Sequence, residues 1–475
     1  MKFLIRFMLM FALILTMNFN VQAQESAPTL AIEEIIVTAR KKEDSIQDVP
    51  MAVTAITDQL NEGSVRRIED IQAFAPNLFI NRTPGIASGA AITIRGVASL
   101  ESDKSYEPSI GVVMDGMFLG TSSGVLLDNF DIERIEVLRG PQGTLFGKNT
   151  TGGILNVIRT PVSLTDLGVD ASLTIGEFGR QDLKTVIQVP IIEDKLGVKI
   201  FAASIEHDGH VYNTFLEKDA GGDDKLNYGF TTLWEPNDQF SLKFHYEIME
   251  DKSEQGSYVN RNRVGELACT ITQIGFDPRN GCEINANDGP NTVESDGSNF
   301  SDNEYESMIV TANYDTENFL YTYIYSNRDM DEQNMQDFDG SPARLLRMNF
   351  FNDWEQTSHE FRVTSQFSDK FQFIAGIYDW EADFAQRWNV YDLFYQLSRL
   401  GVPPWPFGRK GVAGYDDVDV WEDDVAGNNG QTQVTESIAV FASVDWFVTD
   451  QLTVTAGFRW TEEEKDFVGG ASAPG

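Results

Sequence analysis

Beyond Pro161 the chain is written in stretches where apolar and polar residues alternate singly, and this pattern constrains the fold most. Phe240, Leu242, Phe244, Tyr246 and Ile248 alternate with Ser241, Lys243, His245 and Glu247. Val440, Ala442, Val444, Trp446 and Val448 form a second such stripe, and Leu452, Val454, Ala456, Phe458 and Trp460 a third. A period of two puts each set on one face of a strand. Eleven such strands can be placed, near 168–177, 179–190, 196–207, 225–235, 239–250, 304–314, 318–328, 354–367, 371–384, 432–448 and 451–465. A soluble sandwich also alternates, so the connections decide. Glu235-Pro236-Asn237-Asp238, Asp315-Thr316-Glu317 and Thr449-Asp450 are tight, whereas 251–303, 329–353 and 385–431 are long. Short and long connections in alternation, with Tyr321, Tyr323 and Tyr325 near a strand end, predict a transmembrane β-barrel with tight turns on one side and large loops on the other.

Ahead of the strands lies a different kind of sequence. Residues 131–161 read as a charged strand, a glycine-rich loop and a second strand, with Gly140-Pro141 ending the first ladder and Gly143, Gly147, Gly152 and Gly153 following. A phosphate-cradling loop is excluded, because Gln142 and Asn149 stand where that pattern needs Gly and Ser or Thr, and a strand follows where a helix is required. The remaining bland reading is an ordinary loop of a soluble β domain. Upstream, Ala52–Ile56, Ile92–Arg95 and Gly111–Met114 read as strands, the last turning at Asp115-Gly116. Ser64 can cap a helix that places Ile68, Ile71 and Phe74 on one face and stops at Ala75-Pro76. These residues predict an α+β domain of about a hundred residues.

Together these motifs resemble the plug domain of TonB-dependent outer-membrane receptors. The resemblance rests on Arg139-Gly140-Pro141, Gly143 to Gly147, Gly152-Gly153 and Asn156-Val157-Ile158, with Ile94-Arg95-Gly96 and Val113-Met114-Asp115-Gly116 upstream in the family's order. It implies a membrane β-barrel with an N-terminal α+β plug. Plugged barrels of this type have 22 strands, so eleven are expected to be a partial barrel and the sequence an N-terminal fragment. The expected organisation is a signal peptide at 1–23, a TonB box and linker at 24–47, the plug at 48–161 and the partial barrel at 162–475. Lys2 and Arg6, the apolar run Phe7 to Phe19 and Val21-Gln22-Ala23 support the first of these.

The family places its TonB box at Glu34-Ile35-Ile36-Val37-Thr38-Ala39, a β-branched run suited to adding as a strand to another protein's sheet edge. The competing reading is a first edge strand of the plug itself. The family's two plug arginines, which match Arg95 and Arg139, meet glutamates on the inner barrel wall. Strand parity puts Glu360 and Glu463 inside and Glu462 outside, so Arg95, Arg139, Glu360 and Glu463 are expected to form one ion cluster.

By this resemblance TonB, with ExbB and ExbD, pulls on the box and supplies the energy for active import of a scarce small molecule across the outer-membrane lipid. The family's commonest cargo, a ferric siderophore, leads over glycans and cobalamin. Trp388, Tyr391, Phe394, Tyr395, Trp405, Phe407, Tyr415 and Trp421 supply aromatic faces in a candidate substrate loop whose plain alternative is self-packing. A non-transporting surface receptor is the more distant rival; the family's signalling form carries an extra domain, for which the ten residues between Ala23 and Glu34 leave no room. A secreted glycan-active enzyme would leave the plug motifs unexplained, and no enzymatic activity is expected.

Composition adds exclusions. With 73 Asp+Glu against 36 Lys+Arg the chain is no nucleic-acid binder. The acidity is dispersed among polar connections, and neither a metal site nor a cofactor is expected. Cys269 and Cys282 belong to no paired metal motif and read as one disulfide pinning a loop. Thiol titration of the unreduced protein is therefore expected to find neither thiol free, and two free thiols would reject the bridge.

Overall fold

The computed structural model describes residues 35–471, apart from 62–64, 83–88, 99–102, 126–129, 260–290, 296, 298, 341–345, 366–367, 369 and 393–428. Two bodies of sheet make up the fold. The N-terminal one is a mixed five-stranded sheet in the order Ala52–Ile56, Ile132–Arg139, Gly153–Arg159, Ile110–Met114, Met117–Leu119, with one parallel pair between Gly153–Arg159 and Ile110–Met114. A second sheet of Leu78–Arg82, Ala90–Ile94 and Val97–Ala98 packs beside it. Their shared core holds Ile56, Ile68, Ile71, Ile94, Ile135, Val137 and Leu155, all nearly sealed from solvent.

Local chemistry accounts for the turns. Asp115 and Gly116 both take positive φ, 48° and 94°, so that Met114 meets Met117 across a two-residue hairpin. Arg95 and Gly96 do the same, with φ 52° and 82°, so Arg95 lies in a turn and the strand ends at Ile94. The segment read as a Ser64-capped helix is a short 3-10 helix, Ile68–Ala73. Its first turn is closed by the Asp70 carboxylate, which accepts from the backbone N–H groups of Arg66 and Arg67 at 2.9 and 3.0 Å. Ile68 and Ile71 point inward as expected, but Phe74 turns out to solvent where the helix ends; Ser64 is outside the described residues.

Gly153 opens the last plug strand at φ 149°, where a Cβ would run into the Leu138 carbonyl oxygen and press the Ile94 Cδ1 at 3.0 Å. Gly153→Ala is expected to cost about 1–3 kcal/mol from backbone strain alone, measured as a lower urea midpoint for the plug. A wild-type midpoint would remove this reading.

The second body is one antiparallel sheet of eleven strands in sequence order: Gly168–Ile175, Gln181–Ile192, Leu196–His207, Asp223–Asn237, Phe240–Asp251, Phe300–Asp315, Phe319–Asp337, Leu346–Ser365, Phe371–Asp392, Asn429–Thr449 and Leu452–Ala471. Parity holds along them: Phe361, Ile438, Val440, Trp446, Phe458 and Trp460 are exposed on the outer face, while His245, Glu360 and Phe441 are buried on the inner one. An exposed apolar outer face with Tyr323 and Trp446 in it is a lipid-facing surface. No helix among the described residues is long and apolar enough to cross a membrane.

The strands overrun the expected limits at the long-connection end. Strand pairing reaches well into the expected loop 329–353, to Asp337 on one side and from Leu346 on the other, because the ladder continues with Asp329 and Asp331 opposite Glu355 and Asp353 on the outer face. These carboxylates break the apolar stripe without breaking the backbone pairing, so hydropathy marks the edge of the lipid band and not the end of the strand.

Candidate functional site

Of the box, Glu34 is outside the described residues, and the remainder is docked on the plug. Ile36–Val37 pairs antiparallel with Asp44–Ser45, and the Ile46 N–H donates to the Ile35 carbonyl at 2.9 Å. Ile35 and Ile36 are 40% and 41% exposed, but Val37 and Ala39 are 0% and 1%. The two buried residues pack among Val49, Val113, Phe118, Leu138 and Ile154. The Thr38 N–H donates to Glu136 Oε1 at 2.8 Å, and Asn156 Nδ2 donates to both Glu136 Oε2 and Thr38 Oγ1 at 3.1 and 3.2 Å. Only the first half of the run is therefore exposed; the apolar residues that cover the second half come from far along the chain.

Directly after the box, three consecutive cations are fastened to the barrel wall. Lys41 Nζ lies 2.5 Å from Glu360 and over the rings of Phe146 and Phe441 at 5.3 and 5.1 Å. Arg40 and Lys42 both reach Asp445, at 2.9 and 3.2 Å. Burial pushes the Lys41 ammonium below its ordinary pKa, against the pull of Glu360. Glu360 and Asp445 sit near the tight-turn ends of their strands, so this latch lies at that end of the barrel.

The expected cluster of Arg95, Arg139, Glu360 and Glu463 is not formed. Both glutamates face inward as parity requires, yet their partners are others. Glu360 pairs with Lys41 and Arg362, and Glu463 with Lys148 and Lys465 at 2.8 and 3.2 Å. Arg139 donates to Thr54 Oγ1 and the Pro76 carbonyl. Burial and the nearby Arg95 charge lower its pKa. Lysines from the linker and from the glycine loop have taken the carboxylates, and no motif singled them out.

Elsewhere the plug is pinned through residues that sequence reading missed. Arg159 pairs with Glu247, Lys199 with Asp131 at 2.8 Å, and Arg67 with Asp223, all joining plug to wall. Glu107 links Lys148 of the plug to Lys465 of the last strand, at 2.8 and 2.9 Å. Burial alone would raise the Glu107 carboxyl, but the two lysines outweigh it and hold its pKa below the ordinary 4.5. A folded value below the unfolded one means this tie is intact above about 4.5 and is lost as pH falls through the folded value.

The glycine loop is closed at its base by Gly140 N–H to the Gly152 carbonyl, 2.9 Å, and Gln142 N–H to the Thr150 carbonyl, 3.0 Å. The Gly147 N–H donates to the Gly143 carbonyl at 3.1 Å. At Gly147, φ 89°, a Cβ would lie 2.7 Å from Arg459, so the missing side chain lets the loop press on the last strand. Of the candidate substrate residues, Trp388 and Tyr391 are in the strand Phe371–Asp392. Phe394, Tyr395, Trp405, Phe407, Tyr415 and Trp421 are outside the described residues, as are Cys269 and Cys282.

At the long-connection end the plug meets two successive rows of the inner wall. Met249, Tyr305, Met330, Trp354 and Phe384 stand directly opposite one another from strand to strand. Gly120 fits against Trp354 and Trp380 with no room for a Cβ, each ring carbon 2.7 Å from where it would stand. One register step outward runs a polar row, Asp251, Asn303, Glu332, Asn352, Gln386 and Gln431. Gln431 donates to Gln386, Gln386 to Asn352 and Asn352 to Glu332, each at 2.8 Å. Lys104 of the plug ends that chain, 3.0 Å from Glu332.

Residues 45–154 match the family model of the TonB-dependent receptor plug domain. The pesticin receptor of Yersinia pestis is 21% identical over 90% of this chain and 56% of its own length. The rhizobactin receptor of Rhizobium meliloti is 21% identical over 94% and 58%. The chain thus spans a little over half the length of these relatives. Among solved structures, the ferric yersiniabactin uptake receptor of Yersinia pestis superposes with a TM-score of 0.66 at 16% identity, covering 88% of this chain and 61% of that one. The alcaligin outer-membrane receptor of Bordetella pertussis gives 0.61 at 14%, covering 91% and 59%. Residues 45–154 thus match a TonB-dependent receptor plug domain, and the described fold is that of the plugged outer-membrane barrels.

Proposed function

We propose that the chain is the plug-bearing part of an energy-coupled importer for a ferric siderophore, driven by TonB with ExbB and ExbD through residues 34–39. One observation carries this reading: the box is continuous with Arg40-Lys41-Lys42, the cations that hold the plug's leading edge to Glu360 and Asp445. A pull on the box is delivered first to those ion pairs. Breaking them frees the segment from the wall, and force then reaches the sheet through the Thr38–Glu136 contacts. Nothing in this sequence of events makes or breaks a covalent bond in the cargo, which is transport and not catalysis. The ferric yersiniabactin, alcaligin and rhizobactin receptors support the siderophore class.

The latch itself is testable with trypsin, whose sites are Arg40, Lys41 and Lys42. Glu360→Gln is expected to speed nicking there about tenfold, since cleavage tracks local opening. Unchanged nicking would remove the latch from the mechanism. The transport reading is tested by supplying a deletion strain with an array of iron and carbon sources. Loss of growth on ferric siderophores alone is expected; loss confined to a carbon source would overturn the cargo class.

A further inference from the structure

We infer that the pull strips residues 35–56 from the plug and leaves the rest of the plug sheet fixed to the barrel wall, so that cargo passes beside a seated plug. This rests on the proposed coupling through residues 34–39 and says what that coupling moves. The observation is that the two edges of the plug sheet are held in opposite ways. Met117–Leu119 forms one edge, and the wall grips the chain there much as a further strand would. The Gln356 side-chain amide accepts from the Gly120 N–H at 3.0 Å and donates to the Phe118 carbonyl at 2.6 Å. Arg328 donates to the Ser123 carbonyl at 3.1 Å, and a Cβ on Gly116 would stand 2.9 Å from Ile324. The neighbouring strand Gly153–Arg159 ends on the buried Arg159–Glu247 pair.

Ala52–Ile56, the other edge, pairs with Ile132–Arg139 alone. The side-chain hydrogen bond it accepts, from Arg139 to Thr54 Oγ1 at 2.8 Å, stays within the plug. Among the described residues no hydrogen bond or ion pair ties this strand to the wall. The box hairpin leads straight into it, and the two share their apolar packing. Val53 and Ala55 lie with Val37, Ala39, Val49 and Met51 in a small cluster against Leu138 and Ile154. Ile56 is the first residue of the chain to enter the main plug core, followed there by Leu60 and Val65. Force that has broken the latch at Arg40–Lys42 therefore meets one small cluster and a short edge ladder before it reaches Ile56. Beyond Ile56 it meets the whole core and the buried ties to the wall. Local opening takes the region with least burial and fewest bonds, so stripping stops at that boundary. What it uncovers gives the route. Thr38, Lys41 and Glu43 line a cavity of about 400 Å³ between plug and wall, together with Asp115, Lys243 and Glu360. Taking residues 35–56 away opens this polar cavity on the hairpin's side.

The test pulls the complete receptor by its N-terminus, in supported outer-membrane patches with the periplasmic face exposed. A first step releasing residues 35–56 is expected, roughly 75 Å of extended chain, at a force below that of the next step. Release of residues 35–159 in one step, roughly 420 Å by the same measure, overturns the inference, as does departure of the plug as one folded body. The second readout is uptake of radioiron, supplied on the ferric siderophores that restore growth of the deletion strain. Val137 stands directly opposite Thr54 on one side and Leu155 on the other, and opposed residues of antiparallel strands are within disulfide reach. Oxidised Thr54→Cys/Val137→Cys is expected to lose uptake and to regain it on reduction. Oxidised Val137→Cys/Leu155→Cys is expected to keep it. Uptake that survives the first bridge, or is lost with the second, overturns the inference and leaves import standing. If the reduced Val137→Cys variants are inactive, the same comparison is made around Leu138→Cys, with Val53→Cys on one side and Ile154→Cys on the other. A receptor that restores growth on no ferric siderophore overturns the cargo reading instead, and the force trace, which needs no cargo, still decides the inference.

Discussion

Arg159→Ala is expected to destabilise the plug–barrel assembly by about 3–5 kcal/mol, the usual cost of stripping one partner from a buried ion pair. Arg159 leaves the last plug strand and pairs with Glu247 of the wall, over the Phe201 ring at 5.7 Å. Around Glu247 the only other polar contacts described are Asn227 at 2.8 Å and His245 at 3.6 Å. Without the guanidinium, Glu247 keeps a charge that neither neighbour fully compensates. The cost is therefore the stranded carboxylate more than the lost attraction. Glu247→Gln added to Arg159→Ala is expected to recover much of it. Urea titration of the receptor in detergent micelles, followed by tryptophan emission, measures both. A single variant within ~0.5 kcal/mol of the parent, the spread of ordinary surface substitutions, would reject the assignment.

Val37→Pro is expected to abolish uptake, by at least about 100-fold, while cargo binding at the cell surface stays within twofold. Proline gives no donor and cannot join a strand ladder at an interior position. The structure adds a second effect, because Val37 is buried against Leu138 and Ile154. The variant should also release the box from the plug, so trypsin nicking at Arg40–Lys42 should rise as uptake falls. Uptake at the parental rate would remove 34–39 from the energy-coupling role. Uptake lost together with surface binding would point to a damaged plug instead.

The eleven strands were legible because each must present an apolar stripe to lipid, and a stripe of period two is visible in sequence. The limits of Phe319–Asp337 and Leu346–Ser365 were not, because beyond the lipid band the ladder persists with Asp329, Asp331, Asp353 and Glu355 facing water. The hairpin at Asp115-Gly116 was found from local chemistry, whereas the turn at Arg95-Gly96 was not, and Arg95 was read one step too far into its strand. Inward placement of Glu360 and Glu463 followed from parity alone. Their partners did not, since Lys41 and Lys148 come from segments whose place against the wall depends on the whole plug. The docking of Val37 escaped for the same reason: its neighbours Phe118, Leu138 and Ile154 lie some eighty or more positions away.

Under the proposed coupling through residues 34–39, their docking on the plug also sets how such a receptor competes for a shared motor. A partner that pairs with residues 34–39 must first have them undocked, and its apparent affinity is scaled by the undocked fraction. If burying Val37 and Ala39 and closing the Thr38–Glu136 contacts is worth about 2–3 kcal/mol, that fraction is on the order of 1%. An idle receptor then holds the motor roughly a hundredfold more weakly than one whose box has been freed. Many copies can stand in the membrane without tying up a scarce energy source, and each joins the queue only once its box is loose.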